Sequence, residues 1–142
     1  MFKSILVPTD FSEPSLAALE LAARLAELHG SRLTILGVAE LLYAYRSDEG
    51  LVAQGHPGFE DLHNRSLELA RTRAEALARP LGADSVIREG YAPEQILQQV
   101  SAGGHDLVVM GTHGRTGMDL AMLGSVTERV LRGCKVPVLV GR

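Results

Sequence analysis

Short apolar runs with no polar alternation constrain this chain more than any other feature. "SILVP", from Ser4 to Pro8, is continuous. A strand with one wet face would alternate, so a continuous run belongs in a sheet covered on both faces, which is the habit of parallel sheets. "RLTILGVA" (Arg32 to Ala39), "DSVIREG" (Asp84 to Gly90), "DLVVMG" (from Asp106) and "VPVLVG" (from Val136) read as four further strands. Pro137 gives the last of them an edge position or a strand start.

Helical patterns separate these runs. After Ser12, a plausible N-cap, with Pro14 in the first turn, Ala18, Leu21, Leu25 and Leu28 form an apolar stripe, and Glu13, Glu20, Arg24 and Glu27 a polar one. Gly30 sits where a helix C-terminus wants a glycine. A second helix is expected from about Glu60 to Arg79, stopped by Pro80. A third covers "APEQILQQVSA" and a fourth "SVTERVLRGC". The segment from Glu40 to Phe59 reads as a long excursion with a broken helical turn near Leu41 to Tyr45. Strict β-α alternation predicts an α/β fold: one parallel sheet, helices on both faces and right-handed crossovers. There is no internal linker or repeat, and 142 residues fit one domain spanning residues 1–142.

Composition narrows the function classes. Hydrophobic residues make up 46% but aromatics only 4%, so the core is aliphatic. The net charge of -3 offers no basic surface, which argues against a nucleic-acid partner. The single cysteine, Cys134, excludes a disulfide framework and reads as structural. The N-terminus is too short and too polar for a signal peptide, and no stretch has the length of a membrane span. A cytoplasmic protein is expected, with no membrane partner.

The chemistry concentrates in "GTHGRTGMDLAMLGSVTERV", which starts at Gly111. In open α/β sheets ligands bind beyond the carboxyl ends of the strands, where strand order reverses. Glycines let backbone N–H groups approach an anion, successive N–H groups form a concavity for it, and a helix N-terminus adds partial positive charge. Arg115 supplies a cation with a planar fork of donors. Asp10, just after the first strand, suits ribose hydroxyls or a metal. Blander readings stay open at this point. Ser125 with Glu128 fits a capping box, Asp10 could help cap the first helix, His113 could be a loop surface residue, and glycines serve turns everywhere. A P-loop is absent, and so is G-x-G-x-x-G after the first strand. His56 and His63 lack further ligands nearby, no metal-binding residues are assigned, and no catalytic base or nucleophile can be assigned from spacing.

Gly111, Gly114 and Gly124-Ser125 stand in a G-x2-G-x9-G-[S/T] pattern. With its flanks, with "ILVPTDFSEPSLAALELA" and with "YAPEQIL", this resembles the nucleotide-binding universal stress proteins from Lys3 to Val140. The resemblance implies a three-layer α-β-α, Rossmann-like domain whose five-stranded parallel sheet has the order 3-2-1-4-5. It implies a stress-response regulator that binds ATP (or AMP or ADP), with Mg²⁺ or Mn²⁺ bridging the phosphates. By position, Asp10 would meet the ribose, while Pro8, Thr9 and Val38 line the adenine pocket. Backbone groups of Gly111, Gly114, Gly124 and Ser125 would hold the phosphates, with Met110, His113, Arg115, Val126 and Thr127 around them. Thr112 and Thr116 depart from the family's frequent serine and glycine. The resemblance also implies a homodimer through the C-terminal strand, Val136 to Val140. A slow ATP hydrolase and a dimeric scaffold that binds no nucleotide are the competing readings.

Overall fold

The computed structural model describes residues 1–40, 44–113 and 122–141. In chain order the elements are β1 (Ser4–Thr9), α1 (Glu13–His29), β2 (Arg32–Ala39), β3 (Ala44–Ser47), β4 (Gly50–Ala53), α2 (Phe59–Ala78), a 3₁₀ turn (Arg79–Leu81), β5 (Asp84–Glu89), α3 (Ala92–Ala102), β6 (Leu107–Gly111), α4 (Ser125–Gly133) and β7 (Val138–Gly141). The main sheet runs β5-β2-β1-β6-β7, all parallel. Numbering only its five strands along the chain gives the expected order 3-2-1-4-5.

The continuous apolar runs fold as their pattern requires. Every residue of β1 is buried, and successive side chains feed opposite layers. Ile5 and Val7 join Leu33, Ile35, Leu107 and Val109 under α1, with Ala78 of α2. Leu6 joins Leu36, Val108 and Met110 under α3 and α4, against Ile96, Val100 and Val130. Helices thus cover both faces of one sheet. Helix α1 ends at Gly30 in the left-handed region (φ 65), where its N–H donates to the Ala26 carbonyl.

Three local expectations need correction. The segment expected to carry a helical turn near Tyr45 instead forms an antiparallel hairpin, with Ala44 opposite Ala53 and Ser47 opposite Gly50; residues 41–43 lie outside the described residues. "SDEG" supplies its turn. Tyr45 then docks on α2, its ring 5.2 Å from that of Phe59, and its hydroxyl bonds Nδ1 of His63. Ser12 does occupy the N-cap position of α1, but its side chain makes no capping bond and turns to Asp10 instead. Ser125 is the first residue of α4 rather than its cap. Gly124 holds the N-cap position, so the capping box does not form. The last strand starts after Pro137, at the sheet edge, and the Pro137 carbonyl accepts from Val108 N–H at 3.0 Å.

Candidate functional site

β1 and β6 are neighbours, so their carboxyl ends, Thr9-Asp10 and Gly111-Thr112, meet at one edge of the sheet. Gly111 explains the tightness of that meeting. A Cβ there would lie 2.8 Å from the carbonyl carbon and oxygen of Pro14, so only glycine lets the end of β6 press against the first turn of α1.

A second glycine closes the other side. Gly124 N–H donates to the Thr112 carbonyl at 2.7 Å, and a Cβ on Gly124 would sit 3.0 Å from the Cα of His113. The two ends of the glycine-rich segment are therefore clipped together. The amino terminus of α4 is seated directly on the end of β6. Thr127, buried in the first turn of α4, fastens the junction: its hydroxyl donates to the Gly111 carbonyl at 2.9 Å. The opening N–H groups of α4 have no partners within the helix, so partial positive charge faces this edge.

A hydroxyl network shapes the lip contributed by β1. Thr9 Oγ1 accepts from Phe11 N–H and lies 3.0 Å from Ser15 Oγ, which donates to the Ser12 carbonyl at 2.9 Å. Asp10 Oδ1 accepts from Ser12 N–H at 3.0 Å and from the Ser12 hydroxyl. Part of the Asp10 carboxylate thus organises the entry to α1, as the blander reading held. Between them Phe11 adopts the left-handed region (φ 64), costly for a residue with a Cβ. Its ring lies beneath the Arg73 guanidinium, 5.7 Å from the centroid.

The structure brings together Pro8, Thr9, Asp10, Met110, Gly111, His113, Gly124, Ser125, Val126 and Thr127 at this edge, with Val38 one strand over at the end of β2. Gly114 and Arg115 lie outside the described residues. Two placements refine the expectation. The Met110 side chain is buried in the core beneath α3 and α4, so only its backbone is at the edge. Thr127 likewise spends its hydroxyl on Gly111. His113 Nδ1 pairs with Thr112 Oγ1 at 2.9 Å. Sequence reasoning missed Ser15 and Phe11; the short "TDFSEPS" run, with three hydroxyls close to Asp10, was the available signal.

On the far side of the same edge, His63 Nε2 lies 3.2 Å from Glu89 at the end of β5, so the imidazole bridges Tyr45 and Glu89. Burial, then the neighbouring Glu89 carboxylate, hold the Tyr45 phenol above its usual range.

Among the described residues no helix is long and apolar enough to cross a membrane, and no three His, Cys, Asp or Glu side chains cluster to hold a metal ion.

Comparison with known proteins agrees with this architecture. The model of the universal stress protein family matches residues 1–142. A universal stress protein of Thermus aquaticus is 34% identical, with 100% of both chains covered. Universal stress protein MJ0577 of Methanocaldococcus jannaschii is 31% identical over 99% of this chain and 94% of its own. The solved structure of MJ0577 superposes with a TM-score of 0.81 at 30% identity, covering 99% of this chain and 95% of that one. A universal stress protein solved in complex with cAMP shares the fold, with a TM-score of 0.68 at 21% identity and coverage of 99% and 97%. On fold, strand order and full-length sequence similarity together, the chain belongs to the universal stress protein family.

Proposed function

We propose that this chain is a single-domain, ATP-binding regulator of the stress response, in which Asp10 and the Gly111-to-Ser125 region hold the nucleotide. The carrying observation is the pair of glycine contacts: Gly111 against Pro14, and Gly124 against Thr112 and His113. Together they seat the N-terminus of α4 on the end of β6, beside the strand that leads into Asp10. The helix N-terminus is suited to phosphates and the carboxylate to ribose hydroxyls. A relative solved with cAMP supports an adenine nucleotide as the ligand class. Val38, Pro8 and Thr9 would border the base, and Gly114, Arg115, His113, Ser125 and Val126 would complete the phosphate side. With no cluster of metal-binding side chains among the described residues, Mg²⁺ or Mn²⁺ would be held chiefly by the phosphates. The role is binding and regulation rather than catalysis.

A homodimer through the C-terminal strand completes the proposal. Among the described residues β7 pairs with β6 alone, and Leu139 on β7 and Leu131 on α4 are exposed. An apolar edge strand of this kind invites a second copy.

Calorimetric titration of nucleotide-stripped protein with Mg·ATP, AMP and GTP tests the first part. Saturable ATP binding with GTP silent is expected. Asp10→Ala should weaken ATP by about tenfold to a hundredfold, the loss of a charge-assisted hydrogen bond. Unchanged binding in Asp10→Ala would overturn the site assignment. Sedimentation of wild type and Leu139→Asp tests the dimer.

A further inference from the structure

The opposite, amino edge of the sheet holds a buried histidine that the proposed site does not use. His105, just before β6, is only 5% exposed. Its Nδ1 lies 2.9 Å from the Ser4 hydroxyl on β1. Its Nε2 is buried and has no hydrogen-bond partner among the described residues. Arg32 at the start of β2 donates through Nη2 to the Ser4 hydroxyl (3.3 Å) and to the Gly103 carbonyl (3.1 Å). With Arg32 donating into Ser4 Oγ, the Ser4 hydroxyl is free to donate to Nδ1. The ring proton then sits on Nε2.

A second proton would have to enter at Nδ1. It would displace the Ser4 hydrogen bond, in a buried site, beside a guanidinium. The ring packs against the backbone of Gly103 at the end of α3, with Nε2 2.2 Å from where a Cβ on that residue would stand, so only glycine leaves room for it. The charged groups acting on the imidazole are Arg32 from β2 and Asp106 from its own turn. The Asp106 carboxylate is occupied by the backbone N–H groups of Lys3 and Ser4, at 2.9 to 3.1 Å.

This cluster sits on the short ladder between β1 and β6. That ladder has two register pairs, Ile5↔Leu107 and Leu6↔Val108, against six between β1 and β2. The same two strands carry Asp10 and Gly111 at their other ends.

We propose that Ser4, Arg32 and His105 form an acid-released clasp, which locks β1 to β6 while the imidazole is neutral and lets the amino ends of the two strands part when it is protonated. Burial, then Arg32, push the His105 pKa below its ordinary value, with Asp106 opposing. A histidine lowered in the folded state contributes its full stability above the unfolded value near 6.5, and that stability is lost as pH falls from there through the folded pKa.

Hydrogen exchange, corrected for intrinsic rates, tests the clasp. Between about pH 7.5 and about pH 5, protection of residues 4–7 and 105–109 should fall about tenfold or more. Residues 62–76 of α2 should hold theirs. His105→Gln should abolish the pH dependence. Constant protection in wild type, or the same loss in His105→Gln, overturns the proposal. Ring titration of the wild-type histidines by NMR needs no variant. His105 should protonate below the ordinary histidine value near 6.5, and protonation at or above that value overturns the clasp equally.

Discussion

Gly111→Ala is a one-carbon test of how the site is assembled. The added Cβ would lie 2.8 Å from two backbone atoms of Pro14 and 3.1 Å from its Cβ. Non-bonded carbons rest at about 3.5–4.0 Å, so the overlap is near 0.7 Å and backbone cannot yield as a flexible side chain would. Either the amino terminus of α1 lifts from the sheet or β6 bends. Overpacking of this kind costs about 1–3 kcal/mol, offset by about 0.4–1 kcal/mol because alanine restricts the unfolded chain. A net loss of about 1–2 kcal/mol, at roughly 0.3 kcal/mol per degree for a chain of this length, lowers Tm by about 3–7 °C. Gly124→Ala meets His113 Cα at 3.0 Å and the Thr112 carbonyl at 3.4 Å, a milder clash, and should fall between Gly111→Ala and wild type. Gly141→Ala meets only Leu21 at 3.5 Å and Ala18 at 3.8 Å, ordinary contacts, and should melt at or slightly above wild type. Thermal unfolding followed by far-UV circular dichroism ranks the three. If Gly111→Ala melts with Gly141→Ala, the close approach of β6 to α1 is not what requires glycine at this position.

Other contacts make equally definite claims. Thr127→Val keeps the shape of the side chain but removes the donor to the Gly111 carbonyl, leaving a buried acceptor unpaired. Denaturant unfolding should show a loss of about 1–3 kcal/mol with an unchanged m-value, and a smaller loss would mean that the carbonyl finds another donor. Arg88 on β5 is gripped by the side-chain carbonyls of Gln95 (2.9 Å), Gln98 (2.9 Å) and Gln99 (3.3 Å) of α3, so it ties strand to helix without a carboxylate. Arg88→Met should cost about 1–2 kcal/mol, discounted for partial exposure, and that cost should persist in high salt because its partners are neutral.

Much of the fold was legible because its signals are local. An unalternating run such as "SILVP" can be satisfied only between two helical layers, and β1 is buried throughout. The boundaries of α1 follow from Pro14 and Gly30, whose backbone preferences do not depend on distant residues. Pro137 pointed to an edge position or a strand start, and the last strand begins just after it at the sheet edge. Where competing local signals were close in strength, position along the chain did not decide. The 44–53 segment carries a strand-turn-strand pattern around "SDEG", and Tyr45 settles there because Phe59 and His63 of α2 receive it.

The candidate site divides along the same line. The spacing of Gly111 and Gly124 and the place of Asp10 were visible in the chain, because glycine and a carboxylate at strand ends carry their chemistry with them. The reason each glycine is needed was not visible. Gly111 answers to Pro14, nearly a hundred residues earlier, and Gly124 to the backbone of His113 across the loop. "SVTE" reads as a capping box by itself, yet Gly124 takes the N-cap position and Thr127 reaches back to β6. His105 is one polar letter in "GGHDLVV" until Ser4 and Arg32 arrive from two other strands. Sequence alone determined the five strands of the main sheet and the four helices, because periodicity and backbone preference act over a few neighbours. Tertiary structure decided which buried polar groups pair and which glycines cannot be replaced, because those depend on atoms that only the folded sheet brings within 3 Å.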